Sequence, residues 1–416
     1  MNDFNIEKLY KLFEKPICNH CLGRQFAQLL SGYNNAQRGN IVRHFFAMML
    51  EQGAKTEGIE LSNFKGFSFR HKDLAKLIES VENKPCWLCN DFFDKGIENI
   101  SKKIIGMLNR YEYKTFVIGT RPSKAMLKNE EKLWESFGIQ WCEPIKVEIN
   151  REIGKIVEKT AGKKADLKNP DITVLVDMEK DEIVVNIRPL YIFGYYQKLV
   201  RGIPQCRWGT PGLYKTSVQE EIARPLIKAT GGSDHVFHGA GREDISARCL
   251  AWRPFVIEIT NPIKRSINLK EITKKINKGK KIAVKSLKYC DASVVVKLKS
   301  AEPDKKYRAL VVLDKPIKRT ELSALRRLKG EIKQCTPQRV LHRRADLTRR
   351  KFVKSVSYKY KGPKQFELIV HGSAGLYIKE LISGDGGRTT PSVAELLNRK
   401  AECKELDVIW IGKIKL

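Results

Sequence analysis

Apolar residues recur at helical spacing through the first part of this 416-residue chain. Ile6, Leu9 and Phe13 lie three or four positions apart, a period that predicts amphipathic helices, and we expect a mostly helical segment over 1–95. From 96 to 205 the pattern changes, because helical stretches alternate with short runs of β-branched residues. The strands predicted there are 115–119, 172–176 and 183–187. This alternation predicts a compact α/β unit, which begins at residue 96 or already near residue 60.

A segment rich in glycine and proline, GIPQCRWGTPGL at 202–213, predicts a junction between two parts of the chain. Beyond it, strand and helix patterns alternate again. The strands predicted there are 255–260, 293–298, 308–313, 356–360 and 366–371, and the helices are 217–229, 267–277 and 392–400. The simplest division is therefore a helical segment (1–95), an α/β segment (96–205) and an α+β domain (206–416).

The charge of the chain indicates its class of partner. Lys and Arg number 78 and Asp and Glu number 47, which leaves a net charge of +31. Such an excess repels itself unless a polyanion shares the surface, so nucleic acid is the expected partner. No segment approaches the roughly 18–20 uninterrupted apolar residues of a spanning helix, and the N-terminal MNDFNIEKLYKLF lacks an apolar signal core. We expect a soluble cytoplasmic protein without a membrane partner.

Four of the ten cysteines form two CxxC pairs, Cys18 with Cys21 and Cys86 with Cys89. A gap of two residues lets both sulfurs of a pair reach one tetrahedral Zn²⁺ at about 2.3 Å. Two pairs complete a four-thiolate site with no open position, so the metal would be structural and would staple the helical segment between them. Buried or redox cysteines are the alternative. His20 could replace a thiolate, but we expect it to lie on the surface.

The densest polar cluster is HGAGREDISAR, at His238–Arg248. It contains GxG, but Asp244 stands where a dinucleotide fingerprint has its third glycine, and the chain has no GxxxxGK[ST] loop. What remains is a glycine-rich loop that presents Asp244 between Arg242 and Arg248. A carboxylate flanked by cations stays ionised and can act as a nucleophile or a base. A solvated charged turn is the alternative.

This cluster resembles the signature of the archaeal and eukaryotic tRNA pseudouridine synthases of the Pus-ten family. Four further segments resemble that family's motifs in the same order: KKYRAL at 305–310, QCTPQRVLHRR at 334–344, GLYIKEL at 375–381 and SGDGGRTTPS at 383–392. The α/β segment resembles a THUMP domain, a module that grips tRNA. Ser246 and Cys335 depart from the family pattern.

The resemblance implies an α+β protein, with a zinc-stapled, THUMP-like α/β accessory domain before a pseudouridine-synthase-type mixed α/β catalytic domain on a largely antiparallel sheet. It implies isomerisation of uridine to pseudouridine at tRNA positions 55 and/or 54, in the T-arm. Asp244 would be catalytic, Lys379 would pair with it, and Tyr307 would pack on the target base. Structural Zn²⁺ is the expected cofactor, and no organic cofactor is expected.

The basic segment 314–351 contains thirteen Lys and Arg residues and four Asp and Glu residues, a local net charge of 13 − 4 = +9. The resemblance places an RNA-gripping loop there, whereas charge alone is equally typical of a solvated face. The residues expected to contact RNA are Arg242, Arg248, Arg339, Arg343, Arg344 and Arg349.

We expect tRNA as the partner of a monomer that needs no obligatory protein partner. Two other functions stay open, a non-catalytic tRNA-binding or chaperone protein and another THUMP-bearing tRNA modification enzyme. Methyltransferases and thiouridine synthases need a cofactor-binding or ATP-binding glycine loop, and the sequence contains none that we can identify.

Overall fold

The structure is a computed structural model that describes residues 6–207 and 213–414. The chain divides into two compact units, Met1–Arg188 and Pro189–Leu416. The division precedes the glycine- and proline-rich segment at 202–213, of which 208–212 lie outside the described residues. Ile203 packs against the core of the second unit. The three-part division into 1–95, 96–205 and 206–416 stays a prediction about functional segments.

The first unit combines helices with a four-stranded sheet. The helices are α1 (Ile6–Leu12), α2 (Asn19–Gly23), α3 (Asn35–Glu51), α4 (Lys72–Ser80), α5 (Ile97–Leu108), α6 (Lys124–Phe137) and α7 (Ile145–Ala161). The strands are β1 (Thr115–Arg121), β2 (Lys164–Ala165), β3 (Ile172–Asp177) and β4 (Glu182–Ile187), in the order β2-β1-β3-β4. Strand β1 is parallel to β2 and β3, and β3 and β4 form the predicted antiparallel hairpin.

One apolar core joins the N-terminal helices of the first unit to its sheet. Phe13, Phe46 and Phe64 are fully buried and pack as a cluster, with ring centroids 4.5–5.7 Å apart. Phe116 of β1 and Ile153 of α7 belong to the same core. The alternating burial of β1 explains why a two-residue period predicted this strand.

The second unit is built on a ten-stranded sheet. Its strands are β5 (Leu190–Lys198), β6 (Asp234–Gly239), β7 (Arg248–Thr260), β8 (Ile282–Cys290), β9 (Lys305–Leu313), β10 (Gly330–Gln334), β11 (Arg349–Gly362), β12 (Gln365–Gly372), β13 (Thr389–Thr390) and β14 (Ala401–Ile411). The order is β13-β10-β11-β12-β9-β14-β7-β5-β8, and β6 pairs with β7. Strands β7 and β14 run parallel and the other neighbours antiparallel, so the largely antiparallel sheet is confirmed.

Helices pack against this sheet and form separate apolar cores with it. The helices are α8 (Val218–Thr230), α9 (Leu269–Asn277), α10 (Ala292–Ser300), α11 (Ile378–Ser383) and α12 (Val393–Leu397). Helices α8 and α9 pack over β5, β7 and β8, whereas α11 and α12 share a core with β9 and β12. Along β9, Ala309, Val311 and Leu313 are buried at every second position, so Tyr307 lies on the same face of the strand. No helix of the described residues is long and apolar enough to span a membrane.

One predicted strand is wrong, because residues 293–298 lie in helix α10. The run of three valines favours a strand, since β-branched side chains suit a pleated surface. In the helix, however, Val295 and Leu298 are three positions apart and buried, at 9% and 0% exposure. They pack with Phe193 and Val256, and this tertiary burial outweighs the local propensity of the valines.

Two substitutions in α10 test the burial of Val295. Val295→Asp places a charge in the core and should lower the free energy of unfolding of the full chain by about 2–4 kcal/mol. Val296→Asp is the matched control, because Val296 is 69% exposed and its substitution should change stability by about 0.5 kcal/mol or less. Denaturant titration measures both values, and equal losses would contradict the burial of Val295 in the core.

Candidate active site

Asp244 lies in the loop between strands β6 and β7. The loop turns through Gly241, whose φ of +76° is a conformation that glycine adopts without strain. A Cβ atom at Gly241 would lie 3.3 Å from the guanidinium of Arg253, and one at Gly239 would lie 2.8 Å from the amide of Gln205. The glycines of the cluster therefore let the backbone approach the buried polar side chains beneath it.

The carboxylate of Asp244 is bound on both oxygens by cations. Lys379 Nζ lies 3.1 Å from Oδ1, and Arg339 Nη1 lies 3.1 Å from Oδ2. Ser246 adds hydrogen bonds to Oδ1 from its backbone N–H (3.2 Å) and its hydroxyl (3.0 Å). Burial opposes ionisation of Asp244, but the charge of Lys379 and the hydrogen bonds from Ser246 and Lys379 outweigh it and lower its pKa. The carboxylate is therefore charged at neutral pH.

The two cations come from different elements. Lys379 lies in the first turn of α11, and Arg339 lies in a short 3-10 helix at Gln338–Arg343. Arg339 Nε also donates to Glu380, the buried neighbour of Lys379, at 2.7 Å. Glu380 thus holds Arg339 in place, and Arg339 bridges two carboxylates.

A cavity of about 700 Å³ opens beside this carboxylate. Tyr307 of β9 lines it together with Asp244 and Lys379, and the apolar side chains of Leu406 and Val408 line it as well. Burial raises the pKa of Tyr307 to about 12, so its phenol is protonated at neutral pH. The volume suits a small ligand, and the lining combines several charged side chains with apolar ones.

Sequence reasoning missed several side chains of this site. Lys305 lines the same cavity, and burial lowers its pKa to about 8. Glu243 and Arg253 form a fully buried ion pair of 3.2 Å beneath the loop. Tyr196 donates to the Glu243 carboxylate at 3.0 Å. The position of Glu243 beside Asp244 in the sequence could have identified it as a site residue. No neighbouring residue identifies Arg253, which lies within an apolar strand.

The arginines that were predicted to contact RNA lie in different parts of the structure. Arg248 forms a bidentate ion pair with Asp407, at 2.9 Å on each oxygen, rather than flanking Asp244. Arg242 and Arg344 line the cavity, and Arg344 Nη1 donates to the hydroxyl of Tyr377 at 3.0 Å.

Two further predicted RNA contacts lie on the basic segment. Arg349 Nη1 donates to Thr336 Oγ1 at 3.0 Å, so this guanidinium is tied to the neighbouring loop. The side chain of Arg343 lies outside the described part of the structure.

The four paired cysteines meet in the first unit. Cys18 caps the N-terminus of α2, and the Sγ atoms of Cys18, Cys21, Cys86 and Cys89 all lie within 4.8 Å of one another. Bonds of about 2.3 Å to a tetrahedral ion place sulfurs about 3.8 Å apart, so this cluster could hold a metal ion. His20 is partly buried, and its Nδ1 contacts Glu148 at 2.8 Å.

Solved structures align weakly with the chain. A crystal structure of a Cbf5–Nop10–Gar1 complex aligns with a TM-score of 0.32 and 16% identity, over 53% of this chain and 50% of that chain. A crystal structure of pseudouridylate synthase aligns with a TM-score of 0.21 and 14% identity, over 68% and 88%.

Family models and curated relatives match at high coverage. The model described as Pus10, C-terminal, matches residues 191–412, and the model described as Pus10 THUMP domain, archaeal, matches 100–177. Relatives named tRNA pseudouridine synthase Pus10 come from Methanothrix thermoacetophila (38% identity, 96% of this chain, 92% of the relative) and Methanopyrus kandleri (40%, 94% of each). A third, from Pyrococcus furiosus, is 36% identical over 98% of this chain and 97% of its own length. The chain belongs to the Pus10 family of tRNA pseudouridine synthases, which are isomerases.

Proposed function

We propose that this chain isomerises uridine to pseudouridine in the T-arm of tRNA, at position 55, position 54 or both, with Asp244 as the catalytic residue. The observation that carries the proposal is the Asp244 carboxylate, held by Lys379 and Arg339 in the cavity that Tyr307 also lines. The names of the relatives support the reaction and the substrate. The T-arm positions rest on the resemblance of the motifs to the family.

The reaction needs an ionised carboxylate and little else. The N1–C1′ bond breaks, the uracil turns within the cavity, a C5–C1′ bond forms, the C5 proton leaves and N1 receives a proton. The product is an isomer of the substrate, so no group donor or redox partner is consumed. Asp244 either attacks as a nucleophile or removes a sugar proton, and its ionised form serves both routes.

The surrounding side chains have distinct roles in this proposal. Lys379 and Arg339 keep Asp244 charged and fix both of its oxygens. Tyr307 stays protonated, packs against the uracil and can relay a proton late in the reaction. Chemistry on a base requires its removal from the stack, and the cavity beside Asp244 is the proposed receptor for the extruded uridine.

The substrate is recognised mainly through its phosphates. A net charge of +31 suits a polyanion, and Arg242 and Arg344 lie at the cavity where the strand would enter. We assign phosphate contacts to these residues and to Arg343 and Arg349, and further RNA contacts to the THUMP-like segment 100–177. Since the proposed substrate is tRNA, we place the enzyme in the cytoplasm. We further propose that it is a monomer without an obligatory protein partner.

The cysteine cluster fits a structural Zn²⁺. Four sulfurs on two CxxC pairs are the ligand set of closed zinc sites, and three of the four cysteines are buried. Bound zinc would cross-link the start of α2 to the turn at Cys86–Cys89. Arg24, which is fully buried, donates to Cys21 Sγ at 3.6 Å and would offset part of the negative charge of four thiolates.

Asp244→Asn tests the catalytic assignment. The amide keeps the size of the side chain but cannot serve as nucleophile or base, so the single-turnover rate on unmodified tRNA should fall by about 1,000-fold or more. The affinity for tRNA should stay within about threefold, since phosphate contacts dominate binding. Site-resolved pseudouridine mapping and a binding titration measure the two quantities.

The exposed Asp73, which lies in α4 outside the basic segment, provides the control, and Asp73→Asn should leave both quantities unchanged. Full activity in the Asp244→Asn variant would exclude Asp244 as the catalytic group. A wild-type chain that binds tRNA and forms no pseudouridine would instead support a non-catalytic RNA-binding protein.

The pH dependence of the reaction tests the role of Lys379. The lowered pKa of Asp244 places the acidic limb of the rate profile below the ordinary aspartate value of about 3.9, so activity should be flat across mildly acidic pH. Lys379→Met removes the cation that favours the charged form, so the pKa of Asp244 should rise and the acidic limb should move to higher pH. Single-turnover rates across the pH range measure the limb, and an unmoved limb would contradict this electrostatic role.

Metal analysis tests the zinc site. The purified chain should contain about one zinc ion, and Cys86→Ser should lose it and melt at a lower temperature, because a structural zinc contributes folding free energy. Cys290→Ser is the control, since Cys290 lies outside the cluster, and it should retain the metal. Elemental analysis and thermal unfolding of both variants give the result, and a metal-free wild-type protein with the stability of the variant would refute the site.

A further inference from the structure

Three successive carbonyl oxygens of the Asp244 loop accept hydrogen bonds from one short segment of chain. Lys198 Nζ donates to the carbonyls of Asp244 (3.0 Å) and Ile245 (3.1 Å). Arg201 Nη1 donates to the carbonyl of Ser246 at 3.1 Å, and the backbone N–H of Gly202 donates to that of Ile245 at 2.9 Å. The segment 198–202, which begins at the last residue of strand β5, therefore holds the backbone of the loop.

Lys198 is the centre of this contact. It is fully buried, and its third hydrogen bond goes to the carbonyl of Ile203 at 3.0 Å, so all three ammonium donors are satisfied. Burial lowers the pKa of Lys198, while the negative charges of Glu243 and Asp244 oppose that shift. Burial of a charged ammonium costs free energy unless the group is hydrogen-bonded, and the three carbonyls that accept from Lys198 offset that cost.

We propose that Lys198 is a positioning residue of the reaction, which fixes the backbone of the 244–246 turn so that the Asp244 carboxylate meets Lys379 and Arg339. Asp244 is then held at both ends, with its carbonyl on Lys198 and its carboxylate on the two cations. Arg201 supplements Lys198 at Ser246, whose hydroxyl in turn contacts Asp244. The inference rests on the proposed function, because it acts through Asp244.

Lys198→Met tests the inference, since methionine fills similar space without donors. A catalytic group misplaced by about 1 Å loses roughly 100-fold in rate, and we expect a fall of that size in kcat for the full-length chain on unmodified tRNA. The KM and the affinity for tRNA should stay within about threefold of wild type, because Lys198 is buried and cannot touch the RNA. Lys198→Arg retains a cationic donor and should recover most of the lost rate.

Thr230→Val is the matched control. Thr230 is fully buried in the same unit and donates to the carbonyl of Leu226 at 2.8 Å, but it lies outside the cavity lining. Its loss should lower stability and leave kcat unchanged. A Lys198→Met protein with kcat within about threefold of wild type, or a fall in kcat matched by Thr230→Val, would overturn the inference.

Arg201→Gln provides a second test of the inference if Lys198→Met does not fold. Arg201 is partly exposed, at 27% of its side chain, and its partner Asp407 keeps ion pairs with Arg248 and Arg308, so the protein should tolerate its loss. Removal of its bond to Ser246 should lower kcat about tenfold with unchanged affinity, and an unchanged kcat would overturn the inference. A wild-type chain that forms no pseudouridine would instead defeat the proposed function itself.

Discussion

The candidate active site of the second unit depends on keeping one carboxylate charged in a half-buried cavity. Burial alone would favour the neutral form of Asp244, but the charge of Lys379 and the hydrogen bonds from Ser246 and Lys379 reverse that preference, and Arg339 binds the other oxygen. Lys379 and Arg339 are 135 and 95 positions away in the chain, so the charge is stabilised only after the sheet and α11 have assembled. Local sequence cannot hold this site together.

Other buried charged groups support the ion pairs of Asp244. Glu243 pairs with Arg253, Glu380 pairs with Arg339, and Lys198 is surrounded by backbone carbonyls. Each of these buried charges thus has a polar partner, as the cost of desolvation requires. Donors fixed before substrate arrives need no rearrangement during the reaction, which is the usual source of electrostatic catalysis. The loop is therefore supported from its backbone as well as from its side chain.

The first unit is stabilised by other means. An apolar core with a cluster of phenylalanines joins its helices to its sheet, and the four cysteine sulfurs gather residues from two distant segments. The backbone N–H of Trp87 donates to the carbonyl of Pro16 at 2.8 Å, which brings the two CxxC pairs together. A metal there would strengthen a contact that the backbone already makes. This unit contains a small mixed sheet, whereas the charged cavity belongs wholly to the second unit.

The sequence by itself determined the class of fold, the paired cysteines and the loop that carries Asp244, because periodicity, CxxC spacing and glycine placement are local signals. The resemblance of its motifs to the family also identified Lys379 and Tyr307 as site residues, although the sequence itself shows no contacts. Only the tertiary structure decided that 293–298 is a helix, since burial of Val295 and Leu298 outweighs the propensity of the valines. It alone placed Arg248 on Asp407 and a buried lysine under the loop, because long-range ion pairs and carbonyl contacts leave no periodic trace in the chain.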